Sequence, residues 1–252
     1  MRAKITLKQL EEDIKLGMTT REIAEKYSCL RCTVARHCHR AGIALPAEPP
    51  HHRARKHTFN TRFFETIDSE SKAYSLGFIA ADGGRDRNAG VKIVLNPRDT
   101  DILIKIANAM ECSNPPYLAE HGTRIRLSFY NVDMIPDLEK YGIVERKTST
   151  LPFAQNVPDE YLRHYLRGMF DGDGSLGRQA RLVTGSEPFY RGFMAWYAQK
   201  YGKLPWTKDE GNKYRMVFNQ KKDGEFIRWM YDNATIVLDR KNQLFLRNWN
   251  KS

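Results

Sequence analysis

No stretch of this 252-residue chain approaches the roughly 18 continuous apolar residues that a membrane-spanning helix requires, which excludes the bilayer as a partner by insertion. An apolar N-terminal run of the kind that directs export is also missing. Cysteine is scarce, with Cys29, Cys32, Cys38 and Cys112 as the whole supply. These absences predict a reducing, cytoplasmic setting. Acidic residues are in deficit. The 30 Asp and Glu against 41 Lys and Arg leave a net charge of +11, an excess that favours polyanions because each phosphate neutralised releases a condensed counterion. Nucleic acid is the partner class this balance favours, although a merely solubilising surface would give the same number. The distribution sharpens the reading: residues 1–60 hold 12 Lys and Arg against 6 Asp and Glu, so about half of the excess lies in the first quarter.

With 41% apolar side chains the chain can bury one large core and a small one. Residues 6–42 read as three short helices, 7–16, 20–27 and 32–41, with Gly42 closing the last as a C′ residue. They define a first domain over 1–43. Residues 44–60 follow as a basic linker, since Pro46, Pro49 and Pro50 precede Arg53, Arg55 and Lys56 with no apolar period.

Beyond residue 60 the pattern repeats, with one unit over 61–150 and another over 151–252. Helices are expected at 71–81, 100–110 and 132–141, then again at 159–172, 188–201 and 224–233. Strands are expected at 91–95, 117–120 and 124–129, then at 180–184, 204–208 and 214–219. A first strand after Gly83 and after Gly174 is poorly marked. Strand following strand implies antiparallel hairpins, so the class is α+β with two pseudo-symmetric αββαββα repeats behind a small all-α domain.

Aligning the helix openings lays Leu76-Gly77-Phe78-Ile79-Ala80-Ala81-Asp82-Gly83 on Arg167-Gly168-Met169-Phe170-Asp171-Gly172-Asp173-Gly174, at a constant offset of 91. Gly77 and Gly168 sit mid-helix, where glycine costs roughly 1 kcal/mol against alanine, and close helix contact would explain them. Asp82 and Asp173 fall at helix C-termini, where the macrodipole disfavours a carboxylate. Packed side by side, the two acids would also resist joint ionisation. A divalent cation resolves both conflicts, and oxygen ligation of this kind suits Mg²⁺, with Mn²⁺ able to replace it. Asp171 to Ser175 begins like a calcium loop, but Leu176 and Leu182 stand where such a loop needs glycine and glutamate. A second echo pairs Ile143 to Lys147 with Val237 to Lys241, at an offset of 94.

On these two motif copies the sequence resembles the LAGLIDADG homing endonuclease family over about residues 61–250. The resemblance implies a monomeric, site-specific double-strand DNA endonuclease. The two repeats would form a saddle over a long DNA site. Its catalytic set would be Asp82, Asp173, Lys147 and Lys241, and its metal set Asp82 and Asp173 with the preceding Ala81 and Gly172. Strand residues facing DNA would come from Arg85, Arg87, Lys92, Arg124, Arg126, Arg178, Arg181, Lys208, Lys213 and Arg215. Retention of both aspartates favours cutting over the alternative, a non-cleaving transcription regulator or RNA maturase of the same fold. The ends, Met1-Arg2 and Asn250-Lys251-Ser252, do not match a splicing domain, which predicts a free-standing or intron-encoded protein.

The N-terminal helices look like a helix-turn-helix. Ile23, Ala24, Tyr27 and Val34 supply a small core and leave Arg31, Thr33, Arg36, His37 and Arg40 for DNA, with Arg53, Arg55 and Lys56 on the tether. Leu30 is an unusual residue for the start of the last helix. Zinc is not expected, because four residues between Cys32 and His37 are too few for a finger.

Overall fold

The computed structural model describes residues 5–44, 57–85 and 90–250. The predicted DNA-facing residues Arg53, Arg55, Lys56 and Arg87 lie outside them, as does most of the predicted linker. The chain divides into two compact units, Met1–Lys56 and His57–Ser252. Residues 58 and 60, read as linker from the sequence, are tied into the second unit. The amide of Thr58 donates to Ser113 Oγ at 2.8 Å and that of Asn60 to the Met110 carbonyl at 2.9 Å.

The first unit is three helices, α1 (Leu7–Lys15), α2 (Thr20–Lys26) and α3 (Arg31–Ala41). Capping boxes start α1 at Thr6 and α2 at Thr19, each side chain accepting from the third helical amide. Leu30 starts α3 with no side-chain cap, and Gly42 ends it in the left-handed region at φ 67°. Ile5, Leu10, Ile23, Ala24, Val34 and Cys38 form the core, so Cys38, one of the residues weighed as a zinc ligand, is a buried hydrophobe here.

The second unit begins with α4 (Glu70–Asp82), β1 (Gly83–Arg85), β2 (Gly90–Leu95), α5 (Thr100–Ala109), β3 (Tyr117–Ala119), β4 (Arg124–Tyr130) and α6 (Met134–Glu139). It repeats as α7 (Asp159–Asp173), β5 (Gly174–Leu176), β6 (Gln179–Thr184), α8 (Glu187–Tyr201), β7 (Trp206–Asp209), β8 (Tyr214–Asn219) and α9 (Gln220–Tyr231). The poorly marked first strands are present, three residues long in each repeat. The helix expected at 224–233 starts at Gln220 because Asn219 caps it, its side chain accepting from the Lys221 amide at 3.0 Å. A further helix, α10 (Asp239–Asn248), was not expected. Its mean hydropathy is low, so its one apolar stripe hid within a polar sequence.

Each repeat builds a four-stranded antiparallel sheet, ordered β1-β2-β4-β3 and β5-β6-β8-β7. Register sets the faces. Ile93 opposite Leu127 and Leu182 opposite Met216 are buried, whereas Lys92 opposite Ser128 and Arg181 opposite Val217 lie on the other face. Helices α4 and α7 fill the centre between the repeats. From Ala73 to Ala80 every residue of α4 is buried, as is every residue of α7 from His164 to Asp171. No helix among the described residues is long and apolar enough to cross a membrane.

Candidate active site and nucleic-acid interface

The contact between α4 and α7 is backbone to backbone. A Cβ built on Gly77 would lie 2.0 Å from the Tyr165 carbonyl oxygen, and one on Gly168 would lie 2.2 Å from that of Tyr74. Only glycine permits this approach, which accounts for two residues that helix propensity disfavours. The axes therefore meet at the signature, and the two C-termini end side by side. A Cβ on Gly172 would stand 2.4 Å from Ala81 Cβ and 3.3 Å from Asp82 Oδ2. The last turn of one helix thus borders the carboxylate of the other.

Asp82 and Asp173 are the final residues of α4 and α7, each followed by a glycine that opens a strand. Both are open to solvent but crowded by protein on the remaining sides. Desolvation raises both carboxyls above the usual aspartate range, that of Asp173 to about 6, and the Asp82 charge adds to the effect on Asp173. Lys147 and Lys241 act against the shift in both cases. Solvent access screens part of this field.

The two lysines lie beneath the acids, buried to within 8% and 3% of full coverage. Lys147 Nζ donates to the Gly83 carbonyl at 2.5 Å. Lys241 Nζ reaches the carbonyls of Phe170, Asp171 and Gly174 at 2.6 to 2.7 Å and that of Gly172 at 3.2 Å, closing the end of α7 as a cation should. Burial depresses both ammonium groups, that of Lys241 to about 8. Ala81 and Gly172 hold their predicted places immediately before the acids, Ala81 packed against the core and Gly172 giving its carbonyl to Lys241.

Several residues that matter here gave no sequence signal of their role. Asp171 is buried and accepts three hydrogen bonds, from Tyr74 Oη at 2.6 Å, Tyr231 Oη at 2.7 Å and the Leu238 amide at 2.8 Å. Arg167 is fully buried and donates to the carbonyls of Met230 at 2.6 Å and Ile236 at 3.0 Å, and to Glu70 Oε1 at 2.5 Å. Glu70 in turn accepts from the Thr235 amide at 2.7 Å. This desolvated, cationic setting lowers the His164 imidazole to about 4, so it is neutral at physiological pH.

The outer faces of the sheets carry the predicted basic residues. Lys92 and Arg126 share one with Tyr117. Arg181, Arg215 and Lys208 share the other with Gln179, Val217, Asn219 and Trp206, and all of these but Lys208 line an open groove in which Trp206 is 59% exposed. Arg178 lies in the turn between β5 and β6, and Lys213 in the turn between β7 and β8. Four of the arginines are paired within the protein. Arg85 is held by Glu139 at 2.7 Å, Arg126 lies 3.8 Å from Glu120, and Arg215 lies 3.0 Å from Glu210. Arg124 and Lys208 face the same two acids at 3.9 and 3.7 Å. In the first unit Arg31, Arg36 and Arg40 are exposed on α3, with Thr33 and His37 half-buried. Among the described residues no group of three or more His, Cys, Asp or Glu side chains gathers as a metal cluster.

No family model and no curated protein matches this sequence. Solved structures do. The homing endonuclease I-WcaI bound to its DNA recognition sequence is 15% identical, with a TM-score of 0.53 over 78% of this chain and 95% of that one. The I-LtrWI LAGLIDADG homing endonuclease bound to target DNA is 10% identical, at 0.49 over 75% and 90%. Full-length DUF199/WhiA from Thermatoga maritima is 14% identical, at 0.47 over 77% of this chain and 68% of that one. The likeness to I-WcaI establishes the fold, which is the two-repeat architecture of the LAGLIDADG homing endonucleases.

Proposed function

We propose, on the premise of that fold, that this chain is a site-specific double-strand DNA endonuclease that cuts as a monomer with the help of a divalent cation, Mg²⁺ or in its place Mn²⁺. One observation carries the reading: the Gly77 and Gly168 crossing brings two acids, Asp82 and Asp173, to adjacent helix ends where ionisation is costly. Two carboxylates are few for an all-protein cation cage. They suit Mg²⁺, which keeps waters and takes its remaining ligands from phosphate oxygens.

When bound there, the cation supplies Lewis-acid stabilisation of the charge that grows on the phosphate. The chain's own residues do the rest. Asp82 and Asp173 provide the negative charge that makes the site selective for a cation. Lys147 and Lys241, cationic and desolvated, hold the helix ends and lower the repulsion between the acids. In the reaction a water oxygen forms a bond to phosphorus and one P–O ester bond breaks, the departing oxygen taking a proton, without a covalent enzyme intermediate. Double-stranded DNA is the partner. The outer sheet faces, with Lys92, Arg126, Arg181, Arg215 and Lys208, provide its strand contacts, and the intramolecular acid partners of the arginines exchange for phosphates on binding. The helix-turn-helix unit adds contacts through Arg31, Arg36 and Arg40, and its tether turns these into effective concentration.

The test is cleavage selection from a randomised duplex library in Mg²⁺, repeated with Asp82→Asn and with Asp173→Asn. The expected result is double-strand breaks at one long site with wild type, none with either variant, and DNA binding retained by both. Sedimentation of the complex should show one protein per duplex. Tight binding without cutting by wild type would overturn the nuclease reading in favour of a regulator of the same fold.

A further inference from the structure

The two repeats carry the same acid-and-lysine pair, but among the described residues the buried bracket behind it stands in the second repeat and not in the first. In the second repeat the Asp171 carboxylate ties Tyr74 of α4, Tyr231 of α9 and the Leu238 amide together. Three residues after Leu238 stands Lys241, whose ammonium faces four carbonyls within 3.2 Å. An ammonium has three N–H bonds. Those of Lys241 are therefore spent on the helix end.

The offset of 91 maps Asp171 onto Ala80 and Tyr74 onto Tyr165. Ala80 has no side-chain oxygen to offer, and Tyr165 Oη is buried with no hydrogen-bond partner among the described residues. An orphaned buried hydroxyl costs about 1–3 kcal/mol, so it marks the place where an acceptor is missing. The residue three before Lys147 is Val144, whose amide bonds the Gly142 carbonyl instead of a side chain. Lys147 meets one carbonyl, that of Gly83, among the described residues. Two of its N–H bonds remain for a phosphate or a water.

We propose that Asp171 is a positioning residue that makes the catalytic halves unequal, so that the DNA strands are cut in a fixed order, the strand served by Lys147 first. This rests on the endonuclease reading above. Lys241 acts as a fixed cap that holds Asp173 in place, whereas Lys147 has donor capacity to contribute as the phosphate gains charge. The duplex then passes through a nick in one defined strand.

A duplex labelled separately on each strand tests this. Wild type should accumulate product nicked in one strand, and Lys147→Met should slow that first cut at least tenfold while slowing the second far less. Ala80→Asp supplies the acceptor that Tyr165 lacks and that the Val144 amide could take in place of the Gly142 carbonyl, draws Lys147 into a matching cap, and should slow the first cut at least fivefold toward the rate of the second. Asp171→Ala should bring the second cut toward the first. Asp171→Asn should keep the order, because its amide oxygen still accepts from Tyr74 and Leu238 while its amino group turns to Tyr231. Should the alanine variant fail to fold, Ala80→Asp and Asp171→Asn still decide. Without DNA or cation, the Lys241 ammonium protons should exchange more slowly than those of Lys147 by ¹⁵N NMR. Equal strand rates in wild type, an unchanged rate ratio in folded Ala80→Asp, or equal exchange at the two lysines overturns the inference while leaving the nuclease reading intact. Unequal exchange with no cutting at all overturns the nuclease reading, and strand order with it.

Discussion

The first repeat fills the space between its sheet and helices with aliphatic side chains, among them Ile93, Ile102, Ile106 and Leu127, while the second fills the same space with rings. Phe218 and Phe226 stand 5.0 Å apart, Phe193 lies 5.8 Å from Phe226, and Trp196 and Tyr197 close the cluster. Strand order, and helix order up to the added α10, are nevertheless the same. Topology here follows the alternation of apolar and polar positions, and the identity of the apolar residue sets only how the volume is filled.

That equivalence can be broken most severely at the helix crossing, where the halves do not differ. Gly77→Val and Gly168→Val each drive a side chain into backbone that cannot move aside, which costs about 3 kcal/mol or more. Both variants are expected to lose the cooperative thermal transition of the second unit. A large loss for one and none for the other would show that the crossing is less symmetric than its geometry.

The interiors are separated by a milder pair. Phe226→Ala should cost about 3–5 kcal/mol and Ile106→Ala about 2–5 kcal/mol, read from urea melts. Because α4 and α7 bind the halves into one core, each variant should shift a single transition. Two resolved transitions, with Phe226→Ala affecting only one, would make the repeats separate folding units.

The smallest expected effect concerns the acids. The Asp173 carboxyl titrates at about 6, against 3.8 for a free aspartate, so the folded chain holds a proton that the unfolded chain has released between those values. Stability from this group therefore falls as pH rises through that window. Cation-free wild type should melt slightly higher at pH 5 than at pH 7, Asp173→Asn should lack that increment, and cleavage should fall as pH drops below about 6. The opposite slope in wild type alone would remove the acid pair from its crowded setting.

Much of this was legible in the sequence because it rests on local rules. Mid-helix Gly77 and Gly168, the Asp-Gly steps at helix ends, the strand alternation and the 91-residue offset all announce themselves within a few residues. The three N-terminal helices followed from Ile23, Ala24, Tyr27 and Val34 in the same way. Long-range partnership was not legible. Asp171 read as the start of a failed calcium loop, because its partners, Tyr74, Tyr231 and Leu238, lie 97, 60 and 67 residues away. Lys241 was read as one of the catalytic set, and nothing near it in sequence shows that four carbonyls at the end of α7 and the start of β5 converge on it. Arg85, Arg126 and Arg215 looked like free cations, and Glu139, Glu120 and Glu210 hold them. Helix α10 escaped notice because its few apolar positions, Leu244 and Phe245 with Trp249 just past its end, find their partners elsewhere in the chain: Phe245 stacks on Tyr231 of α9, and the Trp249 indole donates to the Gly177 carbonyl after β5.

The crossing has the symmetry of a dimer. Gly77 meets Tyr165, Gly168 meets Tyr74, and both the glycines and the tyrosines are 91 residues apart. Each surface thus binds its own duplicate, the isologous relation through which two identical chains form a twofold dimer. Two separate copies of one half that met through this interface would be obliged to carry every side chain twice. A single chain that holds both halves is free of that obligation. Only in such a chain can one copy keep an aspartate at the interface while the other replaces it with alanine.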